Sequence, residues 1–211
     1  MLVVDKYFIK GALGHMAKTP TAGTSRQRKV QKSLVYQMKV TLRGIRPPIW
    51  RRIQVAGDTT LGRLHRILQE VMGWEESHLH EFFVHGESYS DPVLLDTNDV
   101  MDEKKARLDK LISLEKEKFV YMYDFGDSWE HQILVEKILP MDPRTNYPVC
   151  LTGKRACPPE DCGGVWGYEE MLEIIKDPGH PEYQDTLEWL GEEFAPDLFD
   201  LQNINRRLAV L

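Results

Sequence analysis

Residues 34–55, LVYQMKVTLRGIRPPIWRRIQV, alternate apolar and polar side chains on both sides of the segment GIRPP. Because successive side chains of a strand point to opposite faces, this alternation predicts two half-buried strands joined by a turn at GIRPP. The apolar face of the first strand holds Leu34, Tyr36, Met38, Val40 and Leu42. The sequence therefore predicts a hairpin with one face in the core.

The second strand of this hairpin carries an arginine on its buried face. Arg51 shares that face with three apolar residues, Ile49, Ile53 and Val55. A charge that leaves water needs a partner, because an unpaired buried charge is costly. We therefore predict that Arg51 forms a buried ion pair with Asp124 or Asp127.

A capped helix follows the hairpin in the stretch DTTLGRLHRILQEVMGW, residues 58–74. Thr59 or Thr60 is the predicted N-cap, apolar residues recur at helical spacing, and Gly73 ends the helix. A hairpin followed by a capped helix is typical of a β-grasp-like opening. We expect the α+β class, with a β-grasp-like mixed sheet, one packed helix and a helical C-terminal part.

The rest of the chain adds strands first and helices afterwards. Predicted strands lie in HLHEFFVHG (78–86), KFVYMYDF (118–125) and SWEHQILVEKIL (128–139), and predicted helices lie near 168–176, 181–190 and 200–209. A long loop rich in proline and glycine separates the two groups. We predict a single domain over 33–211, with a sheet part at 33–140 and a loop plus helices at 141–211.

Residues 1–32 form a predicted flexible basic arm, because they mix small, polar and basic residues without periodicity. The net charge of the chain is −6, yet Arg26 to Arg66 contains eleven basic residues and one acid. Such asymmetry is compatible with a nucleic-acid contact, or with an acidic C-terminal part that folds back on the basic segment. The candidate phosphate contacts are Arg26, Arg28, Lys29 and Lys32.

The stretch YDFGDSWEH, residues 123–131, has two interpretations. Asp127 and His131 are candidates for acid–base catalysis, whereas carboxylates that flank a glycine often bond the backbone of their own turn. We favour a hairpin turn, with positive φ near Gly126 and Asp127. In this interpretation the binding residues are Arg51, Asp124, Asp127 and Trp129.

A zinc site is the alternative for the histidines and cysteines. His78 and His80 are two residues apart on a predicted strand, so both imidazoles would leave one face. His131, Cys157 and Cys162 could complete the ligand set, which would make a metal-dependent hydrolase or nuclease with Asp127. The three cysteines lack the paired two-residue spacing of zinc knuckles. We therefore expect no metal, and cysteines that pack as small apolar side chains.

Composition limits the classes of protein to consider. The chain is 42% hydrophobic and 28% charged, and no stretch has the length of a membrane-spanning helix. The start, MLVVDKYFIK, lacks the pattern of a signal peptide. We expect a cytoplasmic protein without membrane contact and, from the odd number of cysteines, without a disulfide framework.

Four ordered motifs together resemble one known family. The motifs YQMKVTLRGIRPPIWRRIQV, HLHEF, YDFGDSWEH and RACPPEDCGGVWGYEEML, within residues 34–208, resemble the plasmid pRiA4b ORF-three-like family. Its members are also labelled passenger resolvase-like (TnpR-like) proteins of insertion elements. The resemblance implies a compact α+β domain associated with mobile elements, and it implies no chemistry.

The sequence shows no serine- or tyrosine-recombinase constellation, so we take the resolvase label to reflect genetic neighbourhood. We expect a binding or regulatory module rather than an enzyme, with a protein or nucleic acid as partner. The alternatives are the metal-dependent hydrolase or nuclease and a nucleic-acid-binding accessory protein that uses the basic arm.

Overall fold

A computed structural model describes residues 33–97, 99–191 and 194–211. Within these residues the strands are β1 (Leu34–Leu42), β2 (Trp50–Ala56), β3 (His80–Val84), β4 (Glu87–Ser90), β5 (Met101–Asp102), β6 (Lys118–Tyr123), β7 (Trp129–Pro140) and β8 (Val149–Lys154). The helices are α1 (Leu61–Met72), α2 (Leu108–Leu111), α3 (Gly164–Ile174), α4 (Tyr183–Leu190) and α5 (Leu201–Leu208). The predicted arm, with Arg26, Arg28, Lys29 and Lys32, lies outside the described residues.

The eight strands form one mixed sheet in the order β5-β4-β3-β6-β7-β1-β2-β8. Neighbouring strands are antiparallel, except that β4 and β5 are parallel. Buried side chains of the sheet share a core with α1, α3 and α5. The α+β class is confirmed, whereas the β-grasp detail is not.

The first hairpin and helix match the predicted pattern. Tyr36, Met38, Val40 and Leu42 are buried, although Leu34 at the start of β1 is exposed. The helix α1 begins after Thr60, whose side chain accepts from Arg63 N, and it ends at Gly73 in the left-handed region. This helix lies over the sheet and presents two polar side chains, His65 and Gln69, to the interior.

Arg51 is buried as predicted, but it has a different partner. Its side chain is in the core with 2% of the residue exposed. Nε donates to Val71 O at 2.7 Å, and Nη1 donates to Trp50 O and Lys154 O at 3.0 Å each. The predicted ion pair with Asp124 or Asp127 is therefore wrong. Three carbonyl oxygens replace the carboxylate, and one of them, Val71 O, lies at the C-terminal end of α1, where carbonyls carry partial negative charge.

The region after Pro140 contains a strand that the sequence pattern did not predict. Strand β8 pairs with β2 at the edge of the sheet, so the predicted division at residue 140 into a sheet part and a loop with helices is wrong. The segment VCLTGK lacks clear alternation. Gly153 is required in it, because a Cβ there would lie 2.5 Å from Phe199 Cε2.

The glycine-rich segment before α3 lies against the turn between β6 and β7. Gly163 and Gly164 have φ of +87° and +69°, and Gly163 N donates to Asp127 Oδ2 at 3.1 Å. A Cβ on Gly164 would lie 2.6 Å from Asp127 O. Only glycine allows this close approach of two backbone segments, and we call residues 155–163 the docked loop.

No described helix has both the length and the apolar character needed to cross a membrane.

Replacing Gly164 by alanine tests the docking of this loop. We expect Gly164→Ala to lose about 1–3 kcal/mol more stability than Gly86→Ala, because Gly164, unlike Gly86, combines a positive φ with a steric conflict. Gly86 has φ of +88°, and a Cβ added there would meet nothing within 4 Å, so it is a matched control for backbone strain alone. Urea denaturation measures both losses, and equal losses would contradict the close contact.

Candidate metal centre and adjoining pocket

The turn between β6 and β7 fixes one carboxylate oxygen of Asp124 and leaves the other free. Asp124 Oδ1 accepts from Gly126 N at 2.8 Å and from Asp127 N at 3.3 Å, which is the predicted bonding of a turn by its own carboxylate. The positive φ values lie at Asp124 and Ser128, and not at Gly126 as predicted. Because Oδ1 is occupied by the turn, Oδ2 is left to face His78.

His78 lies just before β3 and places its ring nitrogen among three carboxylates. Its Nε2 is 3.7 Å from Asp124 Oδ2, 3.5 Å from Glu160 Oε2 and 3.1 Å from Asp161 Oδ1. This nitrogen is buried and has no hydrogen-bond partner among the described residues. We call His78, Asp124, Glu160 and Asp161 the acidic cluster.

The docked loop supplies Glu160 and Asp161 to this cluster. Glu160 Oε1 accepts from Glu75 N and from Tyr123 Oη, both at 2.9 Å. Burial and the bond to Glu160 raise the pKa of Tyr123, so this hydroxyl keeps its proton and stays a donor. Glu160 Oε2, in contrast, is buried without a hydrogen-bond partner in the described part of the chain.

Three members of the acidic cluster are close enough to one another to bind one metal ion. The ligand atoms of His78, Asp124 and Asp161 all lie within 4.8 Å of one another. Metal–nitrogen and metal–oxygen bonds of about 2.0–2.2 Å place neighbouring ligands about 3–3.5 Å apart. Imidazole together with carboxylates suits zinc, manganese and iron(II).

His80 and His131 do not join His78, so the predicted ligand set is wrong. His80 Nε2 is bonded to Glu103 Oε2 at 2.7 Å, and its ring stacks on His65 with 3.5 Å between centroids. His131 is fully buried, and its Nδ1 donates to Tyr121 O at 3.2 Å. The two histidines do not share a strand face, because β3 begins at His80 and His78 lies outside the strand.

Cys157 and Cys162 are not members of the acidic cluster either. Both pack against the hydrophobic core. Burial raises the pKa of each thiol to about 12, so at neutral pH both are protonated. A protonated thiol is a poor nucleophile. These contacts agree with the predicted packing role of the cysteines.

The residues of the predicted binding site do not lie together, and neither do those of the alternative catalytic site. Arg51 and Trp129 are buried in the core and do not form a surface with the two aspartates. Asp127 accepts from Gly163 N and so positions the docked loop. The structure gives Asp127 and His131 separate partners, so it does not support the predicted acid–base pair.

A polar pocket of about 510 Å³ adjoins the cluster, and His78 lines both. The pocket is formed by Thr60, Gly62, Arg63, His65, Arg66, Glu76, His78, His80, Asp91, Leu94, Glu103 and Lys104. The sequence did not single out His65 or Glu103. His65 lies on the apolar face of α1. The one signal in the sequence that could have identified it is a histidine at a position where the neighbouring residues of that face are leucines.

Hydrogen bonds fix the tautomer of His65. Gln69 Oε1 accepts from Glu76 N at 2.9 Å, so the amide group of Gln69 donates to Tyr121 Oη at 2.9 Å. Tyr121 Oη already accepts this bond, and its own proton goes to His65 Nδ1 at 2.7 Å. Burial, with the neighbouring His80 and Arg66, lowers the pKa of His65 to about 2. The neutral ring therefore carries its proton on Nε2, 3.3 Å from Glu76 Oε1.

Comparison with known proteins places the chain in a family. The family model for plasmid pRiA4b ORF-3-like proteins matches residues 34–203, and the chain belongs to this family. The predicted resemblance is thus confirmed at the family level, whereas the resolvase-like label gains no support.

Two relatives are similar over most of their length. The chain is 40% identical to the uncharacterized protein y4hQ of Sinorhizobium fredii (strain NBRC 101917 / NGR234) over 74% of this chain and 81% of the relative. It is also similar to the crystal structure of MM3350, a protein of unknown function from Methanosarcina mazei Go1. That likeness has a TM-score of 0.76 and 46% identity, and it covers 81% of this chain and 97% of the other. The relatives therefore support the fold and name no activity.

Two buried neutral histidines predict a strong dependence of stability on pH. The pKa is lowered to about 2 for His65 and to about 4 for His131, chiefly by burial, while the unfolded chain titrates near 6.5. Below pH 6.5 the unfolded state therefore binds more protons, and stability falls by about 1.4 kcal/mol per pH unit for each histidine.

Urea denaturation of His131→Gln between pH 7 and pH 5 measures this effect. The variant is expected to be less stable at pH 7. Its free energy of unfolding is expected to change less steeply with pH, by an amount that corresponds to about one proton. His85→Gln is the control, because His85 is exposed. An unchanged slope in His131→Gln would show that His131 is not a buried neutral group.

Proposed function

We propose that this protein is a divalent-metal-binding module and that the acidic cluster holds the ion. The observation that supports this most directly is the pair of buried atoms His78 Nε2 and Glu160 Oε2, which lie 3.5 Å apart. Neither has a hydrogen-bond partner among the described residues. Leaving such groups unsatisfied is costly, and one cation would satisfy both.

Electrostatics favours the same assignment. The cluster brings three carboxylates around one imidazole, and within the described chain their ion-pair contacts are to His78 alone. Like charges at this distance repel each other, and no lysine or arginine of the described ranges offsets them. A divalent ion would supply the missing positive charge.

In two of the three carboxylate ligands, the oxygen that faces away from His78 is held by hydrogen bonds. Asp124 Oδ1 is fixed by backbone N–H groups of the turn, and Glu160 Oε1 is fixed by Tyr123 Oη and Glu75 N. Hydrogen bonds of this kind orient metal ligands in known sites. In Asp124 and Glu160 the supporting bonds leave one oxygen of each carboxylate directed at His78.

The ligand types select the class of ion. Calcium and magnesium prefer sites made of oxygen alone, and an imidazole nitrogen favours Zn²⁺, Mn²⁺ or Fe²⁺. The ion would join residues that precede β3, follow β6 and belong to the docked loop. This proposal takes the zinc alternative of the sequence and replaces its ligands, and it makes metal binding the activity of the predicted binding module.

Metal titration tests the proposal. The full chain is expected to bind close to one Mn²⁺ per molecule by calorimetry or electron paramagnetic resonance, and His78→Ala is expected to weaken binding by about ten-fold or more. A saturating ion at about 100 times Kd should stabilise the parent by about 2.7 kcal/mol.

His85→Ala is the matched control, because His85 contacts a single carboxylate, Glu117, at an exposed position. It is expected to bind the ion like the parent. Equal affinity of His78→Ala and the parent, or no binding by the parent, would overturn the proposal.

A further inference from the structure

The pocket beside the acidic cluster has the size of a small-molecule site. Its volume of about 510 Å³ lies within the range of about 300–1,000 Å³ that is common for such sites. His78 forms part of its wall, so a molecule in the pocket would reach the proposed metal centre. A pocket of this volume suits a small molecule.

Two arginines at this pocket have no acidic partner. Arg63 and Arg66 are three residues apart on α1, so their side chains lie on the same face of the helix. Both are exposed, and neither forms an ion pair with a carboxylate of the described chain. Lys104, the third cation of the pocket, is bonded to Asp91 at 2.6 Å. The free positive charge of the pocket therefore comes from the two arginines.

Arg66 follows His65 directly on α1. Its charge contributes to lowering the pKa of that ring, after burial and the neighbouring His80. Arg63 also lines a neighbouring cleft, whereas Arg66 is not part of that cleft. Arg66 is therefore the arginine more closely tied to this pocket.

The backbone at the start of α1 cannot replace these side chains. Leu61 N donates to Ala106 O, Gly62 N donates to Glu103 O, and Arg63 N donates to Thr60 Oγ1. The N–H groups that bind anions at other helix ends are thus occupied. Anion binding at this pocket depends on side chains.

The floor adds an oriented donor. The tautomer of His65 places Nε2–H on the side of Glu76, which also lines the pocket. His65 is buried, and its other nitrogen is held by Tyr121. A ligand that displaces the exposed Glu76 side chain would find a neutral donor that does not titrate near pH 7.

We propose that the pocket binds a small phosphorylated molecule, with Arg66 and Arg63 as the residues that hold its phosphate. Two guanidinium groups offer planar pairs of donors, which match a phosphate dianion better than a carboxylate monoanion. The inference rests on the proposed metal centre in one respect. An ion in the acidic cluster would offset three carboxylates close to the pocket, so metal and phosphate should strengthen each other's binding by the same factor.

Calorimetry on the full chain with inorganic phosphate as probe tests this site. Phosphate is expected to bind the Mn²⁺-loaded protein at least about ten-fold more tightly than acetate does. Arg66→Gln is expected to weaken phosphate binding by about ten-fold while Mn²⁺ binding is retained, and Arg63→Gln should weaken it less. The control is Arg206→Gln, which changes an exposed arginine on α5.

Three results would overturn the inference: no phosphate binding to the loaded protein, equal binding of acetate, or unchanged phosphate binding in both pocket variants. Should the protein bind no Mn²⁺, the metal proposal fails by itself. Phosphate titration of the metal-free chain and of Arg66→Gln then decides the pocket, because binding that depends on Arg66 supports the site and absence of binding excludes it.

Discussion

The hydrogen bond from Gly163 N to Asp127 Oδ2 fixes one end of the docked loop, which supplies half of the acidic cluster. It fastens that loop to the turn between β6 and β7, and the absence of a Cβ on Gly164 lets the two backbones meet. Hydrogen bonds from Tyr123 Oη and Glu75 N to Glu160 hold the middle of the same loop, so that Glu160 and Asp161 lie next to His78. Asp124 supplies the third carboxylate of the acidic cluster.

The core stabilises the same arrangement from below. Arg51 joins the end of α1 to β2 and β8 through three carbonyl oxygens, and its guanidinium lies 5.1 Å from the ring centroid of Phe199. Tyr123 stacks on Trp74 in that core, and its hydroxyl holds Glu160. The acidic cluster is therefore attached to buried groups on one side and reaches the polar pocket on the other.

The sequence predicted those features that depend on local pattern. The hairpin of β1 and β2 and the helix α1 follow from alternation, helical spacing and Thr60 as cap, and the bonding of the turn by Asp124 follows from its neighbours in the chain. The partner of Arg51 could not be predicted in this way. The carbonyl oxygen at the end of α1 belongs to the backbone, and backbone contacts do not depend on residue type. The sequence also identified His78 but assigned it to a strand that begins two residues later, and this error paired it with His80.

Glu160 and Asp161 were hidden for a related reason. Their stretch, CPPEDCGG, has no periodicity, and its contact with the turn depends on the positive φ values of Gly163 and Gly164. The role of His65 could not be predicted, because His65 lies among the leucines of α1 and its role depends on contacts with Tyr121, which Gln69 also contacts. Contacts between distant segments, rather than residue types, define the candidate site.

The position of a bound ion tests the account most directly. A crystal of the protein grown with Zn²⁺ can be measured on both sides of the zinc absorption edge, which locates the metal without reference to the ligands. We predict an anomalous peak about 2.0–2.2 Å from His78 Nε2 and from oxygens of Asp124 and the docked loop. A map without a peak there, or with its peak at His80 and Glu103 instead, would contradict the proposed metal centre.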